Sequence, residues 1–167
     1  LVPAADRNPL KTSTIGMGQV IRHAVESGVR NFIIGIGGSA TNDCGTGMLT
    51  ALGYKFLDKE GNSLFGCGES LQKVEKLDMS DVMPELAECT FRIACDVTNP
   101  LCGELGASHV YGPQKGATPD MVKVLDAGCH HFAEITKAAL GIDNENLPGA
   151  GAASIFFSGA LVLLLIT

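Results

Sequence analysis

At 167 residues, with 46% hydrophobic and 18% charged, the chain has the apolar content of one folded domain, which excludes a disordered segment. A net charge of −6 excludes bulk electrostatic attraction to nucleic acid, so any phosphate must be held locally, by loops. Twenty-one glycines, 5% aromatics and no Trp point to many turns and close backbone approaches, as in a ligand-binding α/β protein.

Asn8-Pro9 and the hydroxyls Thr12, Ser13 and Thr14 lead into a predicted helix over residues 15–27. Ile15, Val20, Ile21, Ala24 and Val25 follow helical spacing there, and Gly28 stops the helix. Residues 29–34 form a short apolar run suited to a buried parallel strand. That run breaks abruptly into Gly35-Ile36-Gly37-Gly38-Ser39-Ala40-Thr41-Asn42-Asp43-Cys44-Gly45-Thr46-Gly47, after which residues 47–52 resume helical character. A strand that feeds such a loop is suited to an anion. Glycines admit close approach, and successive N–H groups with a following helix N-terminus supply positive potential. Ser39, Thr41 and Asn42 add neutral hydrogen-bonding groups, and Asp43 is a carboxylate able to hold Mg²⁺ or take a proton.

Residues 54–57 read as a strand closed by the turn Asp58-Lys59-Glu60-Gly61-Asn62, and Gly66-Cys67-Gly68 is a smaller glycine cluster. Residues 71–77 and 78–86 are loosely amphipathic pieces. Residues 91–95 form another strand, ending at the carboxylate Asp96. The segment 97–117, punctuated by Pro and Gly, reads as a long functional loop. Thr118-Pro119-Asp120 is a helix start, and the helix runs to about residue 140 before Gly141. Leu147-Pro148-Gly149-Ala150-Gly151-Ala152-Ala153 is a third small-residue loop. The apolar tail 155–166 is shorter than a membrane-spanning helix and lacks basic flanks, so it reads as a buried helix that needs a covering partner.

The six cysteines, Cys44, Cys67, Cys89, Cys95, Cys102 and Cys129, form no C-x-x-C pair and match no zinc template, which predicts free thiols and a cytoplasmic setting. Leu1-Val2-Pro3-Ala4-Ala5-Asp6 has no basic region leading an apolar one, so no signal peptide is expected. Leu1 in place of Met gives the expectation that the true start lies upstream.

Each polar constellation has two readings. Ser39, Thr41, Asn42 and Asp43 supply more polar groups than a helix cap needs, which favours a ligand over capping alone. Asp96, Thr98 and Asn99 lie at a strand end, where open α/β sheets place ligands, or form an Asx-type turn before Pro100. Lys115, with Gln114 inside Gly112-Pro113-Gln114-Lys115-Gly116, reaches a phosphate or is simply solvated. His109 and the pair His130-His131 have no metal-specifying spacing, and Cys44 reads as a small apolar residue rather than a nucleophile. Gly35-x-Gly37-x-x-Ala40, with Asp58 beyond it, formally fits a dinucleotide fingerprint, but Thr41-Asn42-Asp43 interrupts where an apolar helix should open. No Gly-Lys-Ser/Thr follows, which rules out a Walker A loop.

Four segments in order resemble the type I glycerate kinase family: Gly35-Ile36-Gly37-Gly38-Ser39-Ala40-Thr41-Asn42-Asp43, Ala94-Cys95-Asp96-Val97-Thr98-Asn99-Pro100-Leu101, Gly112-Pro113-Gln114-Lys115-Gly116-Ala117 and Pro148-Gly149-Ala150-Gly151-Ala152-Ala153. The resemblance implies an α/β fold of mostly parallel strands with flanking helices and long glycine-rich loops, as an incomplete part of a two-domain enzyme. On that basis residues 1–153 are a partial kinase-like region and 154–167 a divergent apolar tail. The implied activity is phosphorylation of D-glycerate by ATP with Mg²⁺, without nucleic acid or membrane as partner, and with self-association or further chain segments covering the tail. Asp43, Asp96 and Lys115 are the expected catalytic residues, Asp43 and Asp96 the expected Mg²⁺ ligands. Gly37, Gly38, Ser39, Thr41, Asn42, Asn99, Gln114, Gly149 and Gly151 are the expected substrate and phosphate contacts. Cys44 stands where the family has glycine. Because family members are longer, a weakly active or inactive chain is expected, with an anion-binding fragment lacking turnover, or an NAD-binding domain, as alternatives.

Overall fold

A computed structural model describes residues 2–94, 98–141, 143, 145 and 149–151. Helix α1, Ile15–Glu26, leads to strand β1, Asn31–Gly35; helix α2, Thr46–Ala51, leads to strand β2, Lys55–Leu57. Strands β3, Lys76–Asp78, and β4, Thr90–Ala94, follow, and then helices α3, Ala107–Tyr111, and α4, Pro119–Leu140. Short 3-10 turns at Gly68–Lys73, Pro84–Glu88 and Pro113–Lys115 fill the connections.

β1 and β4 pair in parallel, with Asn31 opposite Thr90 and Gly35 opposite Ala94. Both chains therefore leave the pair at the same edge, the carboxyl end of the strands, where α/β folds bind ligands. β2 and β3 pair antiparallel, with Phe56 opposite Leu77. The amphipathic stretch expected over 71–77 divides into the 3-10 turn and β3, because Glu75 N–H is spent on Leu57 C=O at 2.8 Å and starts the pairing.

α1 buries Gly18, Ile21 and Val25, whereas Val20, expected on the apolar face, is 70% exposed. The helix lies against α2 so closely that a Cβ on Gly18 would overlap the Met48 backbone, and one on Gly47 would overlap Ser13 and the start of α1. These two glycines allow the close approach that sets α1 beside the loop following β1. β1 departs from the expected fully buried strand: Ile34 points into the core, Phe32 stacks on Phe91 at 4.7 Å, and Ile33 is 78% exposed. Among the described residues the parallel pair is covered on one face.

α4 buries Val122, Leu125, Gly128, Cys129, Phe132, Ala133 and Thr136, a stripe at helical spacing. Phe132 meets Phe56 with ring centroids 5.5 Å apart, joining α4 to the β2–β3 hairpin. Met48, Leu49, Leu52, Leu71, Val74 and Phe91 complete the core. Thr118 Oγ1 accepts from Met121 N at 3.3 Å, and Gly141 closes the helix with φ +73°, as the sequence indicates. Part of the expected 97–117 loop forms α3 and the 3-10 turn Pro113–Lys115. The expected apolar tail lies outside the described residues, among which no helix is long and apolar enough to cross a membrane.

Candidate active site

The loop between β1 and α2 frames two clefts. One, of about 280 Å³, is lined by Ser13, Thr14, Gly16 and Met17 at the start of α1 and by residues 35–41 of the loop. The N-terminus of α1 thus faces the glycines, and the positive end of its dipole favours negative charge in the cleft, although Ile15 N is taken by Ser13 Oγ at 3.2 Å and Met17 N and Gly18 N by Thr14 C=O at 3.0 and 3.2 Å. Gly38 has φ +71°, a conformation costly for other residues. At Gly35 and Gly37 a Cβ would meet nothing within 4 Å, so neither packing nor backbone strain asks for glycine; the missing side chains leave the cleft open.

Ser39 Oγ lies 3.0 Å from Thr41 Oγ1 and accepts from Thr41 N at 3.2 Å, and Thr12 Oγ1 donates to Ala40 C=O at 2.6 Å. These bonds fix the loop tip while leaving it half exposed. The second cleft, about 220 Å³, is lined by Val2, Arg7, Gly38, Ser39, Ala40 and Gln114. Arg7 Nη1 donates to Gln114 C=O at 3.3 Å, which draws the amino-terminal segment over the 3-10 turn. Lys115, on that turn, donates from Nζ to Thr41 C=O at 2.7 Å. Burial lowers the Lys115 ammonium below its ordinary value, opposed by Cys129, Asp43 and Cys44. Only one of its three donors is engaged among the described residues, so the ammonium has hydrogens left for an anion.

Asp43 is placed otherwise than its sequence suggests. It is 1% exposed and lines neither cleft. Its Oδ2 accepts from Thr14 N at 2.9 Å, Thr14 Oγ1 at 2.8 Å and Gly47 N at 3.3 Å, and its Oδ1 from Gly45 N at 3.2 Å. One carboxylate thereby holds the first turns of both α1 and α2, with lone pairs committed to protein donors. Burial raises its carboxyl above the usual value, while the bonds from Thr14, Gly45 and Gly47 pull it down. This geometry supports an anchoring carboxylate, and it does not support the expected Mg²⁺ ligand or proton acceptor at this position.

Asn42 also turns inward, donating from Nδ2 to Ser108 Oγ at 3.0 Å and Cys129 Sγ at 3.6 Å, which ties the loop to α3 and α4 rather than to a ligand. Cys44 adopts φ +48° and packs its Sγ 3.5 Å from Cys129 Sγ. The added side chain enters the core instead of the cleft, and its bond to Cys129, with burial, raises the thiol well above its usual value. An inert core thiol is the result.

Asn99 receives the Tyr111 hydroxyl at 2.6 Å and donates to Leu105 C=O at 2.9 Å, so it organises its own loop. Gly149 and Gly151 are buried, Gly151 N–H donating to Asn99 C=O at 2.8 Å; a Cβ on Gly151 would overlap Pro100. None of these three lines the described clefts. Asp96 lies outside the described residues. The structure thus brings Gly37, Gly38, Ser39, Thr41 and Gln114 to the clefts, holds Lys115 behind Thr41 without lining either cleft, and sends Asn42, Asp43, Asn99, Gly149 and Gly151 to supporting positions. Sequence reasoning missed Arg7 as a cleft cation and Ser13, Thr14 and Gly16 as a cleft wall; the hydroxyl cluster at 12–14 was a signal for the second but read only as a helix start.

An α/β scaffold with a glycine-rich cleft at the carboxyl end of parallel strands defines the class. A family model described as the glycerate kinase family matches residues 1–165, and the chain belongs to that family. It is 52% identical over 153 residues to glycerate 2-kinase of Escherichia coli K12, covering 92% of this chain and 40% of the relative. To glycerate kinase of Haemophilus influenzae it is 50% identical over 163 residues, covering 98% of this chain and 43% of the relative. A crystal structure described as glycerate kinase 2 from Salmonella typhimurium LT2 superposes with a TM-score of 0.89 at 47% identity, over 94% of this chain and 42% of that one. The chain spans about two fifths of the length of these relatives.

Proposed function

We propose that the protein phosphorylates D-glycerate with ATP, and that the described clefts hold the anionic groups of one or both substrates. The observation that carries this reading is the wall of residues 35–41 facing the α1 N-terminus across a cleft of about 280 Å³, with the Lys115 ammonium tethered to Thr41 behind it. Phosphoryl transfer asks mainly for positioning and for charge neutralisation on phosphoryl oxygens. The Gly37 and Gly38 backbone and the Ser39 and Thr41 hydroxyls position the anion, Lys115 neutralises it, and Arg7 with Gln114 takes a second anionic or hydroxyl group. Asp43 serves by locking the loop to both helices. In the transfer itself the glycerate hydroxyl oxygen bonds to the γ-phosphorus, the bond to ADP breaks, and the hydroxyl proton leaves.

Neither cleft presents a carboxylate among its described lining residues, so those residues do not by themselves form an Mg²⁺ site. Asp96 is the carboxylate proposed for that duty and for proton removal. The same observation favours a second reading, in which this chain binds anions without turnover. A coupled assay of ADP release separates the two. D-glycerate-dependent release that collapses in Lys115→Met supports the kinase reading, and ATP-dependent thermal stabilisation with no release supports binding alone.

A further inference from the structure

Away from both clefts, three side chains from three separate segments converge. Cys102 comes from the loop after β4, His130 from the middle of α4 and Glu145 from the segment after α4, and one ligand atom of each lies within 4.8 Å of the others. His130 Nδ1 and Glu145 Oε1 are 2.7 Å apart. The segments that carry Cys102 and Glu145 are joined, Leu101 N–H donating to Glu145 C=O at 3.0 Å, and Glu145 N–H is held locally by Asp143 Oδ1 at 3.3 Å. The cluster opens to solvent on one side, because the His130 side chain is 52% exposed and that of Glu145 27%.

We propose that Cys102, His130 and Glu145 form a site for a borderline divalent cation of the Zn²⁺ class, completed by water. A thiolate with an imidazole suits Zn²⁺ and disfavours Mg²⁺, which takes oxygen ligands. Tetrahedral ligation at bond lengths of about 2.0–2.3 Å puts ligand atoms about 3.5 Å apart, within reach of small side-chain rotations from the observed spacing. On binding, the Cys102 thiol releases its proton to solvent, and the cation takes the place of the contact between His130 and Glu145.

The surroundings add negative potential. Asp126 and Glu134 flank His130 one turn away on either side of α4, Asp126 Oδ1 accepting from Gly103 N at 3.0 Å and Glu134 Oε1 lying 3.9 Å from His130 Nε2. Nearby, Lys137 is paired with Asp143 at 2.6 Å, and the His109 imidazole lies 3.9 Å from Asp126. The metal would clamp the loop that holds Asn99, and the segment reaching Gly151, onto α4. Sequence spacing could not show this site, because each segment contributes a single ligand.

The test is a Co²⁺ titration of the chelator-treated, full 167-residue chain, read by thiolate-to-Co²⁺ charge-transfer absorption and by thermal melting. The expected result is a band saturating at one equivalent, displaced by Zn²⁺ but not by excess Mg²⁺, with a raised melting midpoint. The band and the shift should vanish in Cys102→Ser and in His130→Ala, and Glu145→Gln should bind about tenfold or more weakly. His130 is exposed enough for its variant to fold, which circular dichroism verifies. A wild-type chain without the band, or an undiminished band in Cys102→Ser or His130→Ala, would overturn the proposal.

Discussion

Asp43 shows how burial decides what a carboxylate does. Four donors converge on it from α1, α2 and the turn between them. Asp43→Ala strands three backbone N–H groups in the interior and should cost about 3 kcal/mol by urea denaturation, with loss of ligand binding as a consequence of loop release. Lys115 gives the pH dependence. Its ammonium is depressed in the folded chain relative to its ordinary value of 10.5, so the unfolded chain binds that proton more tightly. Lys115 therefore contributes stability that is present above pH 10.5 and lost as pH falls through the depressed folded value. The stability difference between wild type and Lys115→Met should rise with pH across that window. A flat difference would show an ammonium that is not desolvated. An anion bound beside Lys115 should move its titration back up, which NMR of the lysine side chain measures.

The distinction between cleft residues and supporting residues was only partly legible in the sequence. Glycines and hydroxyls at 37–41 announce a cradle because few other functions need them together. Nothing in the string Thr41-Asn42-Asp43 tells that the backbone turns inward after Thr41, since that depends on Thr14, Ser108 and Cys129, all remote in sequence.

At the scale of elements, the glycines divide by what surrounds them. Gly47→Ala drives a methyl into Ser13 and the first turn of α1, and should cost about 1–3 kcal/mol because both helices meet there. Gly37→Ala points into open space and should change stability by less than about 0.5 kcal/mol while weakening nucleotide or glycerate binding. Paired denaturation and binding curves for these two variants separate packing from function. Thr118→Ala, which removes the α4 cap, should cost about 1 kcal/mol without altering anion affinity. Helix α4 was readable because cap, stop and apolar spacing agree, and α1 because Gly28 stops it and Ile21 and Val25 keep the apolar spacing. Strand β2 was readable at 54–57, but the short α3 and β3 were not, because helices and strands of a few residues are held by tertiary contacts rather than by local pattern.

At the scale of the whole molecule, the described residues present a glycine-rich cleft at the carboxyl edge of the β1–β4 pair and an uncovered face on that pair. The family relatives are more than twice as long as this chain. In the proposed function, residues 35–41, the α1 N-terminus and Lys115 form one anion site. Backbone NMR of the 17.4 kDa chain titrated with ATP tests this directly. The largest amide shifts should fall on residues 13–16 and 37–41 and shrink strongly in Lys115→Met. Shifts confined to other surfaces, or unchanged in that variant, would contradict it.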